Sequence, residues 1–442
     1  MRLTRHWTPA AFYWTAVAIG AVYVFVTPVF TVPDEAEHFF RGLAVARGKL
    51  TPAPRPAPLA VDVDEGVRVF AWHGQVTVHR TGRYGKADLG VARHIRRQGV
   101  SGPLFVTPIY TPLPYLPQAL IAAASDRARA RPLLTFYAGR LANLAVWMGV
   151  IALAIRVAPL CAPLFAAVAL LPMTLFLFAS WSADAAAISL AMLFTAFAVR
   201  AVTASGVLSR SELVALTASA FLLTLCKPVY GLLPALVLAI PRRRFPASSR
   251  HAATVVLVGL ATLAGAAMAV LYFNRAYFNM RVGLPVDPAA QIACIAHAPM
   301  RFVHAVIGDL IGNARFYARQ AVGRFGQNEF SIPDAVIAIE WLVLLLAALT
   351  TRTAVGRPFR LAGAIIAAAS AIGIVASQYL IWSIACGDSV EGVQGRYFLP
   401  VIPVAAIAVG GLWNRPIPPA AMLAVAGVCN AAAFGTLLVT YW

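Results

Sequence analysis

The chain is short of charge. Of its 442 residues only 12% are Asp, Glu, Lys or Arg, while 60% are hydrophobic. Soluble domains carry about a quarter charged residues. That deficit, with apolar runs near twenty residues recurring along the chain, excludes a soluble globular protein and indicates an all-α polytopic membrane protein. Cysteine is scarce too: five residues, an odd number, with no C-x-x-C pair. Most lie in apolar runs, where cysteine acts as a small hydrophobe. Only Cys294 and Cys386 fall in expected outer loops, and a disulfide between them stays open.

Acids are the scarcest charged class, 17 against 36 Lys and Arg, for a net charge of +19. In a soluble protein that excess would suggest nucleic acid. Here arginines flank apolar runs and face anionic lipid, so membrane lipids are the expected partners and nucleic acid is not.

Apolar runs lie at about 9–30, 132–155, 160–180, 183–200, 212–240, 251–273, 335–350, 361–383, 397–413 and 418–440. The first follows Arg2 and Arg5. It is longer than the apolar region of a signal peptide, about 7–15 residues, and ends without a small-x-small site, so it reads as an uncleaved span. Short arginine-rich loops face the cytoplasm. That rule puts the N-terminus inside, residues 31–131 outside as a long first periplasmic loop with short helices, and residues 274–334 outside as a second. Within the second, Pro299–Gln320 alternates charged and apolar residues as an amphipathic surface helix does.

Residues 212–240 break the rule of one run, one crossing. Arginines at both ends place both ends inside. As one helix the run would be about 44 Å long, against a core of roughly 30 Å. Its middle reads Lys227-Pro228, a cation and a helix breaker. Two short helices meeting near the outer surface fit better than one kinked crossing. The whole chain, 1–442, then reads as one integral-membrane unit of about 10–11 helices.

Arginine alone sets this topology, yet the acids segregate under it: only Glu212 falls on the cytoplasmic side. The outer face gathers chemistry. Asp34, Glu37 and His38 share one face of a helix that Pro33 can start, and Glu35 adds a further carboxylate. Capping of that helix is the plain reading; a general base or a divalent metal site is the functional one. Tyr110, Pro112, Pro114, Tyr115 and Pro117 suit an aromatic belt or a groove wall. Arg140 and Asn143 lie two turns into the second span, where arginine snorkels or faces a polar cavity. Asp184 and Lys227 sit at the same face. Gln394-Gly395-Arg396-Tyr397-Phe398 opens a late span from outside, where a positive flank is unusual and arginine suits bidentate phosphate binding.

Pro33-Asp34-Glu35 with His38, the Tyr-Pro repeats, Gly139-Arg140, Ser182-Ala183-Asp184, Lys227 and Gln394 to Phe398 resemble the bacterial membrane family called domain of unknown function 2142, from about Val32 to Pro403. That family resembles membrane glycosyltransferases of the GT-C type. The resemblance implies a GT-C-like fold in the bacterial inner membrane and a polyprenyl-phosphate-linked sugar donor. It also implies transfer to a glycan or lipid acceptor on the periplasmic side, and an essential acid in the first outer loop. Asp34 or Glu35 stands at that place. A divalent ion, Mg or Mn, is used by some members and not by others. One departure is Gly323 to Pro333, which lacks the expected Trp and Asp and has Glu329 instead.

The expected roles follow. Asp34 is the base, supported by Glu35. Arg140, Lys227, Arg396 and Tyr397 bind lipid phosphate. His38, Asp184 and Gln394 contact substrate or metal. Two other classes remain: a glycolipid flippase, for which inverted repeats and paired broken helices are missing, and a non-catalytic envelope-assembly protein, which would tolerate Asp34→Asn.

Overall fold

The computed structural model describes residues 8–51, 59–81, 83–106, 110–273, 286–350, 355–410 and 417–442. Arg2 and Arg5, residues 52–58, the start of the second outer loop, and residues 351–354 and 411–416 lie outside them.

Helix α1 is Pro9–Val26, started by proline and capped by the Thr8 hydroxyl. It leads to α2, Glu35–Ala46. Strand β1 (Leu59–Asp64), α3 (Glu65–Thr81), α4 (Lys86–His94) and β2 (Ser101–Val106) follow, with β1 and β2 paired antiparallel from Leu59↔Val106 to Asp64↔Ser101. Then come α5 (Leu116–Arg127), α6 (Pro132–Val157), α7 (Ala162–Ala169), α8 (Pro172–Phe178), α9 (Asp184–Thr203) and α10 (Arg210–Cys226). The second half holds α11 (Ser248–Ala267), α12 (Pro288–His297), α13 (Pro299–Gly312), α14 (Ala314–Gly323), the hairpin β3–β4 (Arg324–Phe325 and Phe330–Ser331), α15 (Asp334–Thr350), α16 (Arg357–Ile381), α17 (Ile402–Val409) and α18 (Pro419–Tyr441).

The class is as expected: an all-α polytopic membrane protein. Among the described residues six helices are long and apolar enough to cross a bilayer: α1, α6, α9, α11 with its continuation to Phe273, α16 and α18. Two bent pairs raise this to eight, α7–α8 at 81° and α12–α13 at 109°. The longer expected count of 10–11 includes shorter pieces: α10 and α15 have 17 residues each, and α17 has eight. Pro172 explains the first bend, because it cannot continue α7. The amphipathic segment Pro299–Gln320 is two helices, α13 and α14, broken at Asn313, rather than one.

The 212–240 run resolves into two arms. α10 ends at Cys226, Lys227 is extended, and 3₁₀ turns occupy Pro228–Tyr230 and Leu233–Ala239. The arms return to one side, since the Leu208 amide donates to the Arg244 carbonyl at 2.9 Å and Arg244 Nε to the Ala201 carbonyl at 2.7 Å. Lys227 is at the opposite end, where the Thr111 hydroxyl donates to the Leu225 carbonyl at 3.0 Å.

Of the four apolar cores among the described residues, two bear on the site. The large one fills the helix bundle. The smaller one joins the first loop to it through Phe30, Phe39, Leu43, Phe70, Phe136 and Trp181. Trp181 is wholly buried. Its ring lies against Gly42 and Gly139, where a Cβ would collide, so these two glycines let α2 and α6 close on it. A disulfide joins Cys294 to Cys386 with the Cα atoms 5.5 Å apart, the usual separation. With the Arg301–Asp388 pair at 2.7 Å, it ties α12–α13 to the loop ahead of Arg396.

Candidate functional site

Asp34 and Glu35 are neighbours with opposite fates. α1 ends at Val26, and the chain turns through Thr27–Pro33 before α2 begins. Asp34 takes a left-handed conformation at this turn, φ 60°, a region Asp tolerates better than most residues. That twist sends the two carboxylates to different places. Asp34 does not cap α2 with its side chain, so simple capping is not its role.

Glu35 points inward to Arg140. Nε donates to Oε1 at 2.8 Å and Nη2 to Oε2 at 2.6 Å, a bidentate pair with neither side chain exposed. Arg140 also donates to the carbonyls of Val24, Thr27 and Pro28, at 3.1, 2.7 and 2.9 Å. The Trp181 amide adds a bond to Glu35 at 3.2 Å. Arg140 therefore satisfies the orphan carbonyls at the end of α1 and ties that end to α2. This corrects two expectations. Arg140 has no face left for a lipid phosphate, and Glu35 has none for a substrate; both hold Asp34 in place.

Asp34 points the other way, to Arg396 Nη2 at 2.7 Å. Arg396 is almost buried, while the Asp34 side chain is 49% exposed. Arg396 Nε lies 3.0 Å from Asp184 Oδ2, and Lys227 Nζ pairs with the other oxygen, Asp184 Oδ1. Residues 34, 184, 227 and 396 thus form one chain of alternating charge, two acids and two cations, across four elements of the fold. Arg396 Nε and Nη1 are both buried with no hydrogen-bond partner among the described residues, the Nε–Asp184 contact being an ion pair without hydrogen-bond geometry. Aromatic rings enclose the cations: Lys227 lies 4.5 Å from the Tyr110 ring centre and 5.5 Å from that of Tyr397, and Arg396 5.4 Å from Tyr397.

Gly395 sets the position of Arg396. Its backbone runs against the Tyr317 carbonyl of α14 too closely for any Cβ, and its amide donates to Gln320 Oε1 at 2.6 Å. Gln394 accepts from the Asn328 amide at 3.3 Å, so it reaches the β3–β4 hairpin.

Lys227 and Tyr397 are also the polar end of a cavity of about 570 Å³. The rest of its wall is largely apolar, from Val229, Leu232, Val270, Ile374 and Ile381. It lies between the break after α10, the end of α11 and the last turns of α16. Asp34 and Arg396 stand behind Tyr397, outside the cavity wall.

His38 is buried one turn along α2 from Asp34, with Nδ1 2.7 Å from Tyr115 Oη and its ring stacked on Tyr110. Burial lowers its pKa to about 4; Lys227 and Arg396 add to this against Asp34 and Asp184. The ring is neutral near pH 7, and burial keeps the Tyr115 hydroxyl protonated.

The chain matches the family described as Predicted membrane protein (DUF2142) over residues 17–405. It belongs to that family. No curated protein and no solved structure matches it. In this DUF2142 chain the matched region holds every residue of the charge chain and the cavity wall.

The donor set does not fit a divalent ion. Asp184 is held by two cations, Asp34 by one, His38 by Tyr115, and no three of His, Cys, Asp and Glu cluster as ligands among the described residues. Of the expected site residues, the fold brings Asp34, Asp184, Lys227, Arg396, Tyr397 and His38 together. It leaves Gln394 at the edge. Four residues escaped the sequence reading. Trp181 seals the junction, Arg41 holds the Tyr110, Lys49 and Leu50 carbonyls, and Gln327 and Asn328 reach Val32 and Gln394. Arg41 carried a usable signal: a cation on the apolar side of an amphipathic helix. Glu329, the stand-in of the departing segment, lies in the turn of that hairpin.

Proposed function

We propose that this protein transfers a sugar from a polyprenyl-phosphate donor to a glycan or lipid acceptor, on the periplasmic side of the bacterial inner membrane. The observation that carries the reading is the half-exposed Asp34 carboxylate, 2.7 Å from a buried arginine, beside an apolar cavity with a lysine at its end. An isoprenoid chain needs such an apolar wall. Its phosphate needs cations at the end of that wall; Lys227 lies there, and Arg396 stands next to it behind Tyr397.

The step is a single displacement. Asp34 takes the proton of the acceptor hydroxyl as its oxygen bonds to the anomeric carbon. The bond from that carbon to the phosphate oxygen breaks, and its electron pair leaves with the lipid phosphate. Attack from the face opposite the phosphate inverts the anomeric centre. Lys227 and Arg396 offset the charge that grows on the leaving phosphate, usually the larger catalytic contribution. Positioned bases contribute about 10²–10⁴-fold.

Orientation has separate support. Disulfides persist in oxidising compartments such as the periplasm, and Cys294–Cys386 is tied to the loop that carries Arg396. An N-terminus in the cytoplasm follows, because α1 runs toward the same end. The test is transfer of labelled sugar from a polyprenyl-phosphate sugar in reconstituted vesicles. Wild type turns over and Asp34→Asn does not, although it folds. Equal turnover removes Asp34 as the base.

A further inference from the structure

The four charges of the site cancel in pairs, and that balance leaves no net positive charge for a phosphate. Asp184 takes Lys227 on one oxygen and Arg396 Nε on the other. Asp34 takes Arg396 Nη2. An incoming phosphodiester must therefore displace an acid or sit beside two carboxylates. The two acids are not equal candidates. Asp184 is buried, with 6% of its side chain exposed, and both its oxygens face cations. Asp34 is 49% exposed and has one such partner.

The guanidinium adds a geometric reason. Arginine binds phosphate best through two parallel N–H groups. Nε lies 3.0 Å from Asp184 Oδ2 but makes no hydrogen bond to it. The two forks of Arg396, Nε with Nη2 and Nη1 with Nη2, share Nη2, which Asp34 holds, while Nε and Nη1 are buried without a hydrogen-bond partner among the described residues. A phosphate can use either fork in full only if Asp34 lets go.

We infer that Asp34 is a latch on Arg396, which the phosphate of the lipid donor displaces, so that donor binding and release of the base are one event. This rests on the reading above and adds an order to it. Without donor, the base is held against Arg396 through Oδ2, away from the position an acceptor hydroxyl takes. With donor bound, Asp34 turns out toward the solvent side, where the acceptor arrives. The left-handed residue at the start of α2 lets the side chain move while Glu35 and Arg140 keep the backbone fixed.

The latch makes an unusual forecast: removing the catalytic carboxylate tightens donor-lipid binding. The probe is a short polyprenyl monophosphate in detergent micelles, with the matching polyprenol as a control for the chain alone. Asp34→Asn should bind the monophosphate about three- to tenfold tighter than wild type, the scale of one partly exposed ion pair with a buried arginine, and should bind the polyprenol equally. Asn suits the left-handed position, so the variant should keep its thermal midpoint. Wild type that binds the monophosphate while Asp34→Asn binds it no tighter overturns the latch and leaves the transferase reading standing. Loss of monophosphate binding by both proteins overturns both ideas. Tighter polyprenol binding by Asp34→Asn traces the gain to the chain and also overturns the latch.

Discussion

Two arginines, Arg140 and Arg396, stand near each other at one end of the bundle, each beside a carboxylate from the start of α2. Arg140 is saturated: five hydrogen bonds to Glu35 and three carbonyls, and no exposed surface. Arg396 is not: two nitrogens, Nε and Nη1, have no hydrogen-bond partner among the described residues, and the third meets a half-exposed acid. The same residue types, one position apart in sequence, thus build a clamp and a binding group. A charge in the membrane becomes structural when its neighbours exhaust its bonding capacity, and it remains available for a ligand when they do not.

That comparison can be broken. The largest stability effect should come from the clamp. Arg140→Met should cost about 3–5 kcal/mol, because it leaves a buried carboxylate unpaired. Thermal unfolding in detergent reads this, and adding Glu35→Gln should recover part of it. A midpoint like wild type for Arg140→Met would mean the clamp is not structural. Next, Lys227→Met should weaken polyprenyl monophosphate binding about tenfold, the loss of one charge-assisted contact. Its fold should survive because Asp184 keeps Arg396. Unchanged affinity would remove the lysine from the phosphate site.

The smallest effect concerns pH. His38 is held to about 4 in the folded chain, below its ordinary value near 6.5. Between those values the unfolded chain binds a proton that the folded one does not. This contribution is therefore complete above about pH 6.5 and is lost as pH falls toward 4. Thermal midpoints from pH 7 to pH 5 should fall more steeply in wild type than in His38→Gln. Parallel slopes would show that His38 is not the group responsible.

Much of this was legible in the sequence, and the failures have physical causes. Lys227-Pro228 announced the break after α10, since neither residue can continue a membrane helix unaided. The acids at Asp34 and Asp184 and the cations at Lys227 and Arg396 were found through their one-sided placement. Composition could not say which carboxylate paired with which arginine. That depends on one backbone dihedral at Asp34, and periodicity along α2 carries no trace of it. Arg140 was misread for the same reason: its partners are main-chain carbonyls at the end of α1, which have no residue identity. The β1–β2 pair was missed although Val61-Asp62-Val63-Asp64 does alternate, because the run is only four residues long and its partner β2 starts Ser-Gly-Pro, with no alternation to match it.

The central claim is that the open cluster carries the chemistry and the closed one carries the fold. Sugar transfer per folded molecule in proteoliposomes, measured side by side for Asp34→Asn and for the Glu35→Gln, Arg140→Met double variant, tests it most directly. The account predicts a stable but inactive Asp34→Asn, and a destabilised double variant whose folded fraction still turns over. Turnover by Asp34→Asn at the wild-type rate would contradict it.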